Sequence, residues 1–398
     1  MSTPSAQALA SSRVVIVGAG PVGLLLAGDL ALAGIRTLVF EQRKFPMTES
    51  RASQLTTLTA ELLHERGCHA LLAEATHEPH AHFAGIGVDL GSLDSDFAGN
   101  WKVAQFRVEA ALADRAEQCG AQVVRGVEVV DLTNYAEHAA VGICLVNGQH
   151  ASVDASYVVG CDGARSTVRR LGRFPVAAWP ATRELLRADV TGLAIRDRRF
   201  ERLPAGFAVA HTRSGITRVM VHERARRLAC RSGPATFADV VEAWLQVTGE
   251  RIGTGTVAWV DRFDNARGRA TQYQHGRMLL AGDAAHWHLP IGGQSLNIGL
   301  QDAAELGWRL AEALRGDPPS TALEGYQRAR CPVAARTLDW VTAQEILLLD
   351  GPSTDPLHAL LNELATLPQV QAHLAGVVSN LDTGMRETRQ ENVPNAFT

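Results

Sequence analysis

Between Val14 and Glu41 the chain carries the pattern that most limits how it can fold. A β-branched run, Val14-Val15-Ile16-Val17, ends in Gly18-Ala19-Gly20-Pro21-Val22-Gly23; an Ala/Leu-rich helical stretch follows to about Ala33, then a second run, Thr37-Leu38-Val39-Phe40, closed by Glu41. Strand, G-x-G-x-x-G, helix, strand and acid, in that order, is the arrangement of a dinucleotide-binding βαβ unit. The glycines have separate tasks: a tight turn, room for a pyrophosphate against the backbone, and close packing of helix on sheet. The helix start offers N–H groups and its dipole to phosphate, and Glu41 can accept ribose hydroxyls. Gly18, Gly20, Pro21, Val22, Gly23, Glu41 and the adjoining Gln42 are therefore the candidate nucleotide contacts.

Two other glycine clusters fail the same standard. Gly253-Thr254-Gly255-Thr256-Val257-Ala258 matches G-x-G-x-x-A, but Ala258-Trp259-Val260 reads as strand, and Gly85-Ile86-Gly87 has no helix after it. A second nucleotide, if one is used, thus has no Rossmann unit of its own.

Composition narrows the class. The 398 residues suit two or three domains or one large sheet with insertions, and 46% hydrophobic with 20% charged residues is the balance of a soluble chain with a substantial core. A net charge of −4 without a basic run argues against nucleic acid as a partner. The stretch Val14 to Ile35 contains Asp29 and five glycines, and Met1 to Ser12 has no positive n-region, so neither a signal sequence nor a membrane span is expected. Cys68, Cys119, Cys144, Cys161, Cys230 and Cys331 form no C-x-x-C, which points to reduced thiols, a cytoplasmic location and no metal site.

Further along, a helix is expected from about Val108 to Cys119 with Gly120 as its stop, strands at Gln122 to Val124 and Ile143 to Val146, and a buried strand at Tyr157-Val158-Val159-Gly160. That strand runs into Cys161-Asp162-Gly163-Ala164-Arg165-Ser166 and a short basic helix. From about Val176 to Thr271 the texture changes to short alternating strands, including Phe207 to His211 and Thr217 to Val221, with a helix near Phe237 to Val247. Met278-Leu279-Leu280-Ala281 returns to central-strand character, followed by Gly282-Asp283, by Pro290-Ile291-Gly292-Gly293-Gln294, and by a helix with Leu306, Leu310 and Leu314 on one face and Gly316 as its stop. The expected fold is α/β: a discontinuous Rossmann-like nucleotide domain (1–75, 101–175, 272–345), an inserted mixed-sheet substrate domain (76–100, 176–271) and a C-terminal helical segment (346–398).

Three motifs in order at wide spacing, Gly18 to Gly23 with Glu41, Cys161-Asp162-Gly163, and Gly282-Asp283, resemble those of the FAD-dependent aromatic hydroxylases of the para-hydroxybenzoate hydroxylase fold. The likeness spans roughly Val14 to Arg336. His286 to Gln294 and Gln301-Asp302-Ala303 look most like the hydroxylases of aromatic polyketide (antibiotic) biosynthesis. The resemblance implies that Asp283 holds the ribityl chain of FAD, that Gly292, Gly293, Leu296 and Asn297 turn backbone N–H groups toward the flavin pyrimidine, and that Pro290 sits by the isoalloxazine ring. It also implies that Gln105 contacts the flavin side chain, that Arg51 lies near the adenosine half, and that Asp162 and Arg165 serve FAD and NADPH binding. Two departures stand out: Leu58 where many relatives have arginine, and Ser295 where a glycine is usual.

The reaction this implies is a monooxygenation: NADPH or NADH reduces FAD, O₂ adds to give a C4a-hydroperoxide, and one oxygen passes to an electron-rich polycyclic aromatic, in a monomer or homodimer. The protein must exclude water, align the ring and let the flavin move. No side chain is assigned as catalytic. His82, His211, His222, His286 and His288 are candidates to accept a phenol proton, and Phe200, Phe207, Trp244 and Trp259 to line a flat pocket, although core roles suit both sets better. A flavin halogenase is disfavoured by the missing W-x-W-x-I-P. A Baeyer–Villiger oxygenase acting on a polyketide ketone, or a non-catalytic flavin-binding auxiliary protein, fits the same motifs.

Overall fold

The computed structural model describes residues 12–49, 51–225, 228, 233–316 and 319–385; Cys230, the segment before residue 12 and the tail after 385 lie outside the described residues. Its frame is a parallel sheet ordered Met278–Leu280, His150–Gly160, Ser12–Val17, Thr37–Glu41, Gln122–Arg125. Val15 lies opposite Val158 on one side and Leu38 on the other, and Val159 opposite Leu279. The central runs 14–17, 37–40, 158–160 and 278–280 are covered on both faces, which is why they read as largely unbroken apolar runs. Ala139–Leu145 pairs antiparallel with both Val127–Asn134 and the first half of His150–Gly160.

The helix Pro21–Leu32 is apolar nearly all round because it is packed between this sheet and the helices Gln105–Gln118 and Gln294–Arg315. Its one acid, Asp29, is buried but held by Arg66 and Arg115, each at 2.9 Å. Leu306 and Leu310 are fully buried on the Gln294–Arg315 helix, and Gly316 stops it at φ +124°.

The expected change of texture after Val176 is a five-stranded antiparallel sheet ordered Arg198–Leu203, Gly206–Arg213, Ile216–Glu223, Glu184–Thr191, Thr256–Asp264. Alternation gives it two distinct faces. Leu186, Ala188, Val190, Ala208, Ala210, Val219 and Val221 pack with Trp244 on the helix Phe237–Thr248. Leu185, Phe207 and Val209 point the other way, into a cluster that also holds Phe83, Val88 and Leu289. Trp244 is therefore core on the far side of the sheet, the role that suited it better in sequence.

Residues 76–100 form two short hairpin pieces, and Phe83 and Val88 within them join the cluster of the second sheet. A helix of 31 residues, Pro319–Leu349, passes through Pro332 and runs across the 345/346 boundary drawn from sequence, so the C-terminal segment begins inside it. Asp355–Leu364 and Pro368–Ser379 follow as helices.

Candidate active site

The glycine-rich turn shows its division of labour directly. Gly18 has φ +105°, and a Cβ there would lie 2.4 Å from the Cys161 carbonyl oxygen; at Gly23 a Cβ would lie 2.1 Å from the Gly18 carbonyl oxygen. Gly20 is different: its φ is −78°, open to any residue, and a Cβ there meets nothing within 4 Å. That open volume lies at the start of the Pro21–Leu32 helix, whose first-turn N–H groups have no partner within the helix. Pro21 occupies the first helical position, where its missing N–H costs nothing. Val22 packs beneath Gly282, whose added Cβ would come within 3.0 Å of it.

Glu41 closes the cradle. Its Oε2 accepts from Ala19 N and its Oε1 from Arg43 N, both at 2.9 Å, which leaves each oxygen able to accept once more from a ribose hydroxyl. Gln42 is exposed beside it.

The other walls come from distant segments. Asp162 Oδ2 accepts from Thr167 N (2.7 Å) and Val168 N (3.1 Å), so this acid holds the start of the Thr167–Leu171 helix. Its Oδ1 is buried with no protein partner, and burial pushes the carboxyl pKa up. Asp283 follows the Met278–Leu280 strand and accepts a hydrogen bond from the Ser295 hydroxyl. Ser295, the departure from the usual glycine, thus ties the first turn of the Gln294–Arg315 helix to Asp283. Leu58, the other departure, is fully buried in the core.

Gly292 and Gly293 both adopt left-handed conformations, φ +69° and +68°, which glycine takes without strain. They lead into the Gln294–Arg315 helix, with Pro290 exposed just ahead and Leu296 in the first turn. Asn297 is fully buried; its Oδ1 accepts from Thr56 N (2.9 Å) and its Nδ2 donates to Gly293 O (2.6 Å) and Gln54 O (3.2 Å). Its side chain is a clamp, and only its backbone remains for a ligand. Gln105, the first residue of the Gln105–Gln118 helix, ties back to the loop that carries Arg51: its Oε1 accepts from Ala52 N (3.0 Å), and Arg187 on the second sheet donates to Arg51 O (2.9 Å). Arg187 stacks over Trp259 and Phe263 and pairs with Asp261 at 3.1 Å; burial draws its pKa down to about 10. Arg165 is exposed.

The histidines sort themselves. His286 Nε2 is 2.6 Å from Asp302 Oδ2, and Asp302 also accepts from Gly282 N (3.0 Å) and Arg330 Nε (2.7 Å), all in full burial. His286 is therefore structural, and its hydrogen bond together with the Arg330 guanidinium holds the Asp302 carboxyl below its usual range despite its burial. Sequence reasoning quoted Asp302 but gave it no role and missed Arg330, because the pairing crosses 28 residues. His222 faces the Glu184 carbonyl (2.9 Å) and His211 faces Asp197 (3.3 Å). His82 lies against the Phe200 ring, 3.7 Å between centroids, and burial, with Lys102 and Arg199 nearby, brings its pKa down to about 4. His288 Nδ1 faces the Leu289 carbonyl oxygen at 3.0 Å, while Nε2 is buried without a partner; burial lowers its pKa.

One nucleotide cradle, a second acid on a neighbouring strand end, and a glycine turn at a helix start thus surround one region, and the open space at Gly20 and the orphaned Asp162 oxygen fit a dinucleotide cofactor. Residues 11–341 match the FAD binding domain family. The chain belongs to this family of flavoprotein monooxygenases, and FAD is its cofactor. Over 384 residues it is 38% identical to the 12-dehydrotetracycline 5-monooxygenase/anhydrotetracycline 6-monooxygenase of Streptomyces rimosus, covering 93% of this chain and 76% of that one. CabE, an aromatic hydroxylase from angucycline biosynthesis, superposes with a TM-score of 0.89 at 38% identity, covering 94% of this chain and 76% of that one. The family is not uniform in chemistry: a dialkyldecalin synthase of Streptomyces rugosporus is 32% identical over 382 residues, covering 94% of this chain and 81% of that protein. Among the described residues no helix is long and apolar enough to cross a membrane.

Proposed function

We propose that this flavoprotein is an NAD(P)H-using hydroxylase of a polycyclic aromatic substrate of the polyketide type. The observation that carries the reading is the convergence of the Gly20 opening, Asp283 and the Gly292–Asn297 turn on one cofactor region. Likeness to a tetracycline-pathway monooxygenase and an angucycline hydroxylase supplies the substrate class. In this reading FAD, when bound, supplies the oxygen-activating redox chemistry. Gly20 leaves room for its pyrophosphate, Glu41 takes the adenosine ribose, and Asp283, steadied by Ser295, takes the ribityl hydroxyls. Arg51 from its loop and Gln105 from the start of the Gln105–Gln118 helix flank the cofactor, and Asp162 offers its unpaired oxygen to FAD or to transiently bound NADPH or NADH. Leu185, Phe207 and Val209 on the second sheet, packed with Leu289 and with Val341 and Leu348 of the Pro319–Leu349 helix, form a buried apolar cluster that backs the site and excludes water. The division into a nucleotide domain and a substrate domain, and a cytoplasmic location, belong to the same proposal.

The test is NADPH or NADH oxidation by the FAD-loaded protein with and without polycyclic phenols or quinones. A severalfold acceleration by substrate is expected. Oxidation that yields only hydrogen peroxide whatever ring is offered contradicts the reading. The dialkyldecalin synthase motivates a second one, a flavoprotein that uses bound FAD without oxygenating; it predicts no substrate-stimulated oxidation at all.

A further inference from the structure

Lys102 is one of only two lysines in a chain that uses arginine at the other thirty-six of its thirty-eight basic positions. It ends the Asn100–Lys102 strand, is 16% exposed, and points its Nζ at Gln54 Oε1, 2.6 Å away. Gln54 Nε2 donates in turn to Gly292 O at 3.0 Å, and Gln54 packs so tightly beneath the turn that a Cβ on Gly293 would lie 2.4 Å from its amide.

The two ends of a glutamine amide are nearly identical in shape, so its direction is set by its partners. An ammonium can only donate, and at 2.6 Å it forces the amide oxygen toward Lys102 and the NH₂ toward Gly292. The peptide bonds here are trans, so C=O and the following N–H of one peptide plane point opposite ways. Pinning the Gly292 carbonyl to Gln54 therefore aims the Gly293 N–H away from Gln54. Asn297, donating to Gly293 O at 2.6 Å, does the same for the Gln294 N–H. A longer contact from Gln294 Nε2 to Gly292 O, 3.4 Å, is too weak to replace Gln54. Lys102 is itself anchored by Glu78 at 3.6 Å, which also pairs with Arg213 of the second sheet.

We propose that Lys102 is a positioning residue of the FAD site, orienting the Gln54 amide so that the Gly292–Gly293 turn presents its N–H groups to the flavin. The inference rests on the placement of the flavin pyrimidine at this turn. A compact ammonium suits the role, whereas a planar guanidinium would impose a fork on a single acceptor. Because negative charge collects on the flavin pyrimidine upon reduction, an ordered fan of N–H groups also favours the reduced cofactor.

The experiment uses the FAD-loaded full chain and a double-mutant cycle of Lys102→Met and Gln54→Met, read by the FAD dissociation constant from flavin fluorescence and by the flavin midpoint potential. Each single variant should weaken FAD binding about tenfold, the effect of losing a charge-assisted hydrogen bond, and lower the potential. The double variant should be no worse than either single, because the two residues act as one unit. Gln54→Glu, which keeps the contact to the ammonium but cannot donate to Gly292, should lose as much and covers the case in which Lys102→Met fails to fold. Wild-type affinity and potential in Lys102→Met, or independent losses that multiply in the double variant, would each overturn the proposal. Failure of the unsubstituted protein to bind FAD would instead bring down the cofactor reading itself.

Discussion

Gly18, Gly20 and Gly23 lie within six residues of one another and respond differently to an added side chain. Gly20→Val places its methyl groups in open space, so the variant should fold with an unchanged circular dichroism spectrum and fail to retain FAD. Gly23→Ala drives a Cβ against the Gly18 carbonyl and should lose stability, seen as a lower melting temperature before any ligand is added. Equal loss of fold in both variants would mean that the open volume is illusory. Asp283→Ala should weaken FAD retention by about 1–3 kcal/mol through an unpaired ligand hydroxyl and a stranded Ser295; equilibrium dialysis that shows unchanged affinity would reduce Asp283 to a loop acid. The placement of Gly20 at a helix start and of Glu41 beside the turn was legible in sequence, because spacing along one strand–turn–helix specifies it. The roles of Ser295 and Gln54 were not, since each depends on a partner brought from far along the chain, and Ser295 read alone looked only like a missing glycine.

Among elements, the turn after Met278–Leu280 is held less by its own sequence than by the helix behind it. Asp302 on Gln294–Arg315 takes Gly282 N, His286 and Arg330 together in full burial. Asp302→Asn leaves the Arg330 charge uncompensated, and a destabilisation of about 3–5 kcal/mol in urea unfolding is expected; a change under 1 kcal/mol would show that the network is dispensable. Strand positions were readable where both faces are buried, as at Val14 to Val17, and the alternating run at Phe207 to His211 lies within Gly206–Arg213. Which helix covers which face of the second sheet was not readable: Phe237–Thr248 packs on one side and Pro319–Leu349 on the other, and strand residues that are apolar on both faces do not tell the two apart. The long Pro319–Leu349 helix was hidden by Pro332, a residue that ordinarily breaks such a pattern.

For the whole molecule, the parallel sheet supplies the cofactor cradle and the antiparallel sheet an apolar face, and the Leu289–Asn297 segment lies where they meet. The family match carries membership and FAD, whereas the oxygenated product we propose depends on the substrate ring admitted. The most direct measurement is mass spectrometry of product formed from a polycyclic phenol by the FAD-loaded protein, with NADPH or NADH, under ¹⁸O₂. One labelled oxygen in a new ring hydroxyl is predicted. Label in a ring-expanded ester would transfer the account to a Baeyer–Villiger oxygenation, and an unlabelled product, or none beyond hydrogen peroxide, would contradict it.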